Sequence, residues 1–225
     1  MTTGVRRIAP SEWASSTFTD MPFYQNKHTP REQLEQLAQT HDFQYSLFQP
    51  GLFLEYLGAP HKTTTHLDPL MTVFDFAGRR AMVVDGHEDA VLTLTSVKDV
   101  AAAVLGMVDL PDEVIWPRIG GICGNRLSVQ EIVDMGKRIF GQPLTITKLQ
   151  MADLENGQLK SPWGLTLKHK SVAPDQVDGM LKQVAISTLL SFAKGAWSTS
   201  NEVNKLLPEE FQFTNGEEFL TKVWA

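Results

Sequence analysis

A single cysteine, Cys123, stands in 225 residues. It excludes an internal disulfide framework and fits a reducing compartment, and a small buried thiol is its simplest reading. No apolar run approaches the ~20 residues of a membrane-spanning helix. Arg6-Arg7 near the start is followed by no apolar stretch of the signal-peptide kind. Positive charge is short too: 20 Lys and Arg against 26 Asp and Glu leave a net charge of −6, without the basic stripe that a nucleic-acid surface needs. His28, His41, His61, His66, His87 and His169 show no helical i, i+4 pairing, so no metal set is expected. A G-x-S-x-G nucleophile elbow is missing as well. So is any glycine-rich strand–turn–helix phosphate loop. Gly120-Gly121-Ile122-Cys123-Gly124 does not supply one, because Asn125-Arg126-Leu127 stand between it and a helix already capped by Ser128; a loop is expected there. These absences predict a cytoplasmic, soluble protein with no nucleic-acid or membrane partner.

What is present is ordinary globular material, 42% hydrophobic and 20% charged, enough for a sizeable core. Val5–Pro10 reads as a strand and Ser11 to Tyr24 as a loop. Pro30–Gln39 reads as a helix capped by Thr29, with Leu34, Leu37 and Ala38 inward. Phe43–Phe48 is a strand closed by Gln49-Pro50-Gly51. Met71–Phe76 and Arg80–Asp85 are expected to pair as a hairpin, with further strands at Val91–Leu94, Glu113–Pro117 and Leu144–Leu149. Ser96 opens a helix to Val108 with Val97, Val100, Ala101, Val104, Leu105 and Val108 inward, and Ser128-Val129-Gln130-Glu131 is a capping box for a helix to Phe140 ended by Gly141. A helix from Pro174 or Asp175 runs through Leu189, and Glu209-Glu210 and Thr214–Trp224 suggest a short terminal helix.

Three stretches carry a family resemblance. Val5–Trp13, ending in Ser11-Glu12-Trp13, resembles the fifth strand and P-S-E-[FW] motif of the NmrA-like and isoflavone-reductase-like families, atypical short-chain dehydrogenase/reductases. Gln49–Tyr56 is similar to their F-x-P-G-x-F segment, and Trp116–Arg126 to their W-P-x-x-G-G-I-x-G-N-R run. The closest likeness is to fungal members of secondary metabolism. The resemblance implies an α/β fold: an incomplete Rossmann-type parallel sheet plus a smaller α/β substrate-binding part. Residues 1–58 would be the last portion of the NAD(P)-binding domain and 59–225 the interleaved substrate portion. The glycine-rich turn and the residue that selects NAD or NADP are then expected upstream of Met1.

The resemblance also implies site residues. Lys27, with Arg31 four residues on, resembles the lysine of the family's K-x-x-x-R helix start, near the nicotinamide, where an amine anchors ribose hydroxyls or takes a proton. From spacing alone a solvated lysine ahead of a helix is the favoured reading, and the resemblance brings the two level. The Y-x-x-x-K arrangement of conventional short-chain dehydrogenases is not met, since Phe23 holds the tyrosine position and Tyr24 is one residue off. Pro10, Ser11, Glu12, Lys27, Gln49 and Pro50 are expected at the cofactor, with Trp13, Leu52, Phe53, Tyr56 and Trp116 on the substrate side. The implied activity is NAD(P)H-dependent reduction of a small aromatic or polyketide-like metabolite. A non-redox ligand-binding or regulatory role, and an isomerase or cyclase using Lys27, stand as alternatives. An exposed sheet edge would favour a homo-oligomer or a covering partner.

Overall fold

The structure is a computed structural model that describes residues 4–166 and 174–225, without the side chains of 174–176. In chain order the elements are β1 (Arg7–Ile8), α1 (His28–Thr40), β2 (Gln44–Tyr45), β3 (Leu47–Gln49), β4 (Leu52–Phe53), β5 (Phe74–Asp75), β6 (Arg80–Val84) and β7 (Val91–Thr95). Then come α2 (Val97–Val108), β8 (Ile119–Gly121), β9 (Asn125–Ser128), α3 (Val129–Phe140), β10 (Thr145–Leu149), α4 (Met151–Glu155), α5 (Pro174–Ala193) and α6 (Gly216–Trp224). No helix among the described residues is long and apolar enough to cross a membrane.

One stretch, residues 44–53, threads the whole arrangement. β2 pairs in parallel with β1, β3 in parallel with β8, and β4 in parallel with β7, which is antiparallel to β9. The expected Phe43–Phe48 strand is therefore broken at Ser46, where the chain changes neighbour. At Gly51 it crosses to the next sheet. Gly51 has φ +73°, and a Cβ there would lie 2.2 Å from the Thr93 carbonyl oxygen, so no other residue fits. A separate sheet has the order β10–β6–β5, with β5 antiparallel to β6. β1 pairs with β2 on one side and with no described strand on the other.

Helices lie on both faces of β3, with Leu47 on the α1 side and Phe48 on the α2 side, as parallel strands require. On one face α1 sets Leu34 and Ala38 against Ile8, Phe43, Tyr45 and Leu47. α1 begins at His28 as the continuation of a 3₁₀ turn over Pro22–Lys27, so Thr29 lies inside it and does not cap it. On the other face α2 packs Val100, Ala103 and Met107 onto Phe48, Trp116 and Ile122. Ser96 caps it as expected, accepting from the Asp99 N–H at 3.1 Å. The inward stripe differs: Leu105 is 60% and Val108 56% exposed. α2 is apolar on two sides, and periodicity alone cannot say which side meets the core.

The capping box of α3 is formed as expected, with Ser128 N–H on Glu131 at 2.7 Å and Glu131 N–H on Ser128 at 3.1 Å, and Gly141 ends the helix in the left-handed region. Other boundaries move. Glu113–Pro117 is irregular, because Arg7 ties this segment by donating to the carbonyls of Leu110, Pro111 and Val114, and the strand starts later, at Ile119. The expected loop at Gly120–Arg126 holds β8 and the start of β9 instead. Its glycines exist for close approach: a Cβ on Gly120 would meet the Ser46 hydroxyl at 2.3 Å, and one on Gly121 the Ser200 backbone at 2.4 Å. The terminal helix starts at Gly216 behind an Asn215 cap, leaving Glu209-Glu210 in a turn. α4 carries no sequence signal strong enough to have been expected.

Because Gly51 is fixed by both conformation and contact, Gly51→Ala is expected to cost more than about 2 kcal/mol of unfolding free energy. Urea unfolding that gives a midpoint equal to the parent's would contradict this.

Candidate functional site

Parallel pairing places the carboxyl ends of β1 and β3 at one edge of the sheet, where α/β folds form their ligand crevice. A direct bond joins them, from Gly51 N–H to the Ala14 carbonyl at 3.1 Å. The loop from Pro10 to Trp13 is held there by α1. The Arg31 guanidinium grips the Glu12 carboxylate through Nε at 3.1 Å to both oxygens and Nη2 at 2.6 Å. Glu12 is only 2% exposed, and Arg31 lies 4.0 Å above the Phe18 ring. One turn earlier, Lys27 donates its ammonium to the Ser11 carbonyl and stands 5.4 Å from the Tyr24 ring. The K-x-x-x-R spacing thus has a physical content. Both cations reach the same two-residue loop, one to its backbone and one to its side chain.

Glu12 is therefore an anchor with its carboxylate fully engaged. Pro10 accepts the Glu12 N–H at 2.8 Å, and the Pro50 carbonyl accepts from the Thr95 hydroxyl at 2.8 Å. Gln49 is 1% exposed. Its Nε2 is 3.5 Å from the Ser16 carbonyl, and its Oε1 has no partner among the described residues.

The substrate-side residues divide. Trp13, at φ +31°, stacks on Phe48 with ring centres 5.8 Å apart; Phe48 in turn rests on Trp116, which lies under Arg7. Trp116 is buried and donates its indole N–H to the Met107 carbonyl at 3.0 Å, so it supports the site from beneath and is no wall of it. Leu52 is likewise core. Trp13 and Phe53 do share a groove of about 500 Å³, whose other side is the exposed apolar flank of α2: Val97, Val104, Leu105 and Val108. The Trp116–Arg126 run was expected to share this cavity; it packs below it through Trp116 and through the Ile122 N–H on the Gln49 carbonyl. The α2 flank was missed, since its apolar residues read as core.

Tyr24 and Tyr56 are both removed from water. Burial raises the Tyr24 hydroxyl pKa, and burial with neighbouring Tyr24 and Glu55 pushes Tyr56 up to about 12. Both phenols stay protonated at neutral pH and are weaker acids than a free tyrosine. Glu55 is buried under α2 and accepts the Val97 N–H at 3.0 Å. Its pKa is raised, chiefly by burial and further by Asp99, against the opposing pull of the Val97 bond.

No known family model matches the chain. The chain is 25% identical over 183 residues to oxidoreductase swnN of Metarhizium robertsii, covering 80% of this chain and 52% of that protein. It is 30% identical over 146 residues to oxidoreductase BOA1 of Botryotinia fuckeliana, covering 61% and 44%. It thus spans about half the length of these curated relatives. Among solved structures, the leucoanthocyanidin reductase–NADPH complex of Vitis vinifera superimposes with a TM-score of 0.62 at 16% identity, over 97% of this chain and 66% of that one. The NADPH-dependent quinone oxidoreductase QOR2 of Escherichia coli gives 0.59 at 16%, over 99% and 69%. The chain shares the α/β fold of these reductase structures.

A dinucleotide tests this site at two ends. The nicotinamide end finds polar groups at the strand ends, in Lys27 and the unpartnered Gln49 Oε1. The pyrophosphate end needs a helix N-terminus with open N–H groups. Among the described helices, α2 is already closed by Ser96 and Glu55, α3 by its capping box and α6 by Asn215. Those three helix ends are closed to a pyrophosphate. No three or more His, Cys, Asp or Glu among them are grouped to hold a metal ion.

Two outcomes are expected. Arg31→Ala strands a buried carboxylate and should cost about 3 kcal/mol of stability, with more than half regained in Arg31→Ala/Glu12→Gln; chemical denaturation that shows no recovery in the double variant contradicts the clamp. Glu55 binds its proton more tightly folded than unfolded, so its own contribution to stability is fullest below pH 4.5 and is lost as pH rises through the raised value. Glu55→Gln keeps an acceptor without the charge. Its melting temperature should match the parent's in acid and exceed it at neutral pH, and equal values at both pH values would contradict this.

Proposed function

We propose that the chain forms the substrate-facing part of an NAD(P)-dependent oxidoreductase that reduces a small aromatic or polyketide-like metabolite in fungal secondary metabolism. The observation that carries this reading is Lys27 fixed on the Ser11 carbonyl, two residues before Trp13, whose ring opens an apolar groove with Phe53 and α2. The groove suits a planar apolar substrate body. The cofactor, when bound, supplies the hydride. Lys27 supplies a cationic hydrogen-bond donor for a substrate oxygen that gains negative charge during reduction. The names of the fungal relatives, and the NADPH-dependent reductases that share the fold, support the class.

A non-redox ligand-binding role is the second reading. It is favoured by the closed N-termini of α2, α3 and α6. Calorimetry with NADPH separates the two. We expect this 225-residue chain to bind it with a dissociation constant above roughly 100 μM, because the pyrophosphate anchor supplies much of the affinity. With NADPH at millimolar concentration and aromatic ketones as substrates, Lys27→Met should lower turnover by about 10²-fold or more with the secondary structure by circular dichroism unchanged. Turnover equal to the parent's removes Lys27 from the chemistry, and no turnover with any ketone favours the non-redox reading.

A further inference from the structure

A second cavity lies at the β5–β6 hairpin and shares no lining residue with the Trp13–Phe53 groove. It holds about 540 Å³, with apolar walls from Pro60, Leu70, Met71 and Ala77. One cation faces it, Arg80. Its guanidinium is built into place. One face lies 4.3 Å from the Trp163 ring, whose indole N–H is tied to the Thr147 hydroxyl at 3.3 Å. Its Nε donates to Asp75 Oδ2 at 2.7 Å.

The β5–β6 turn is shaped around that pair. Asp75 Oδ1 accepts the Gly78 N–H at 2.9 Å, and a Cβ on Gly78 would lie 2.3 Å from Asp75 Oδ2 and 2.8 Å from Arg80 Nε. Only glycine leaves room for the ion pair. The two carboxylates that border the cavity are both occupied, Asp75 as described and Asp68 by Lys62 at 2.6 Å. The two terminal NH₂ groups of Arg80, by contrast, make no hydrogen bond to any described residue. A guanidinium held by stacking and by Nε, with its outer edge open, presents the fork that receives a carboxylate through two parallel bonds.

We propose that this cavity is a second ligand site, separate from the groove, for a small monocarboxylate with an aromatic or branched apolar body. The carboxylate would sit on the Arg80 fork and the body against Leu70, Met71 and Pro60. Such a site takes an acid as regulator or as a second substrate group, and neither role depends on the reductase reading.

Benzoate, benzamide and acetate are the probes, titrated calorimetrically into the full chain. Benzoate should bind saturably. Benzamide, of the same shape but uncharged, should bind at least about tenfold more weakly, and so should acetate, which lacks the apolar body. Arg80→Gln should reduce benzoate affinity by at least about tenfold. Because that variant leaves Asp75 unpaired and could disturb the hairpin, Leu70→Glu provides a second arm. Leu70 is an exposed wall residue, so its replacement places a repelling carboxylate at the cavity without touching the core, and benzoate binding should again fall. No saturable benzoate binding, equal binding of benzamide, or benzoate binding that survives Leu70→Glu would each overturn the assignment.

Discussion

The site depends on one buried ion pair. Glu12 leaves β1 pointing into the protein, and a carboxylate at that depth is tolerated only with a partner that fills its lone pairs. Arg31 does so with three contacts and is itself flattened on Phe18. The pair therefore sets both the position and the rotation of α1 against the β1 loop. Lys27 follows from that setting, because the residue four positions before Arg31 falls on the same side of the chain and meets the Ser11 carbonyl. A loop that would otherwise be free at the mouth of the crevice is held at its backbone and at its side chain.

The second constraint is the path of residues 44–53. A strand that changes neighbours at Ser46 and changes sheets at Gly51 binds the N-terminal sheet to β7 and β9 without a linker. It also brings Phe48, Gln49 and Phe53 to different faces of the same corner. Phe48 carries Trp13 from below, and Phe53 meets Trp13 across the groove. Glu55, a few residues on, closes the first turn of α2 and so fixes the groove's far wall. One short segment accordingly supports the floor and both sides of the proposed substrate site.

Much of this was legible in the sequence where local chemistry acts alone. The capping box at Ser128, the Ser96 cap and Gly141 are short-range devices whose residues need no distant neighbour, and they sit as expected. The motif residues at Ser11, Lys27 and Gln49 do gather at one sheet edge. What the sequence could not show was partner choice. Glu12 looked like a ligand residue until Arg31 was seen to saturate it, and Trp116 looked like a wall until its indole was found bonded under Phe48. The flank of α2 is the sharpest case. Leu105 and Val108 carry the same pattern as core residues, and only the packing of Val100, Ala103 and Met107 shows which side is covered. The Asp75–Arg80 pair escaped notice for a related reason, since a hairpin turn gives no hint that its charged residues flank a cavity.

The central claim is that the groove opened by Trp13, two residues past the Ser11 carbonyl that holds Lys27, receives a small aromatic molecule. Fluorine NMR of the chain labelled with 5-fluorotryptophan, assigned through Trp13→Phe, addresses it directly during titration with acetophenone. The account predicts a saturable shift of the Trp13 resonance with Trp163 and Trp224 unmoved, since those indoles belong to other contacts, on Thr147 and on the Leu57 carbonyl. A Trp13 resonance that stays in place while acetophenone binds elsewhere, or that moves no more than the others, would contradict it.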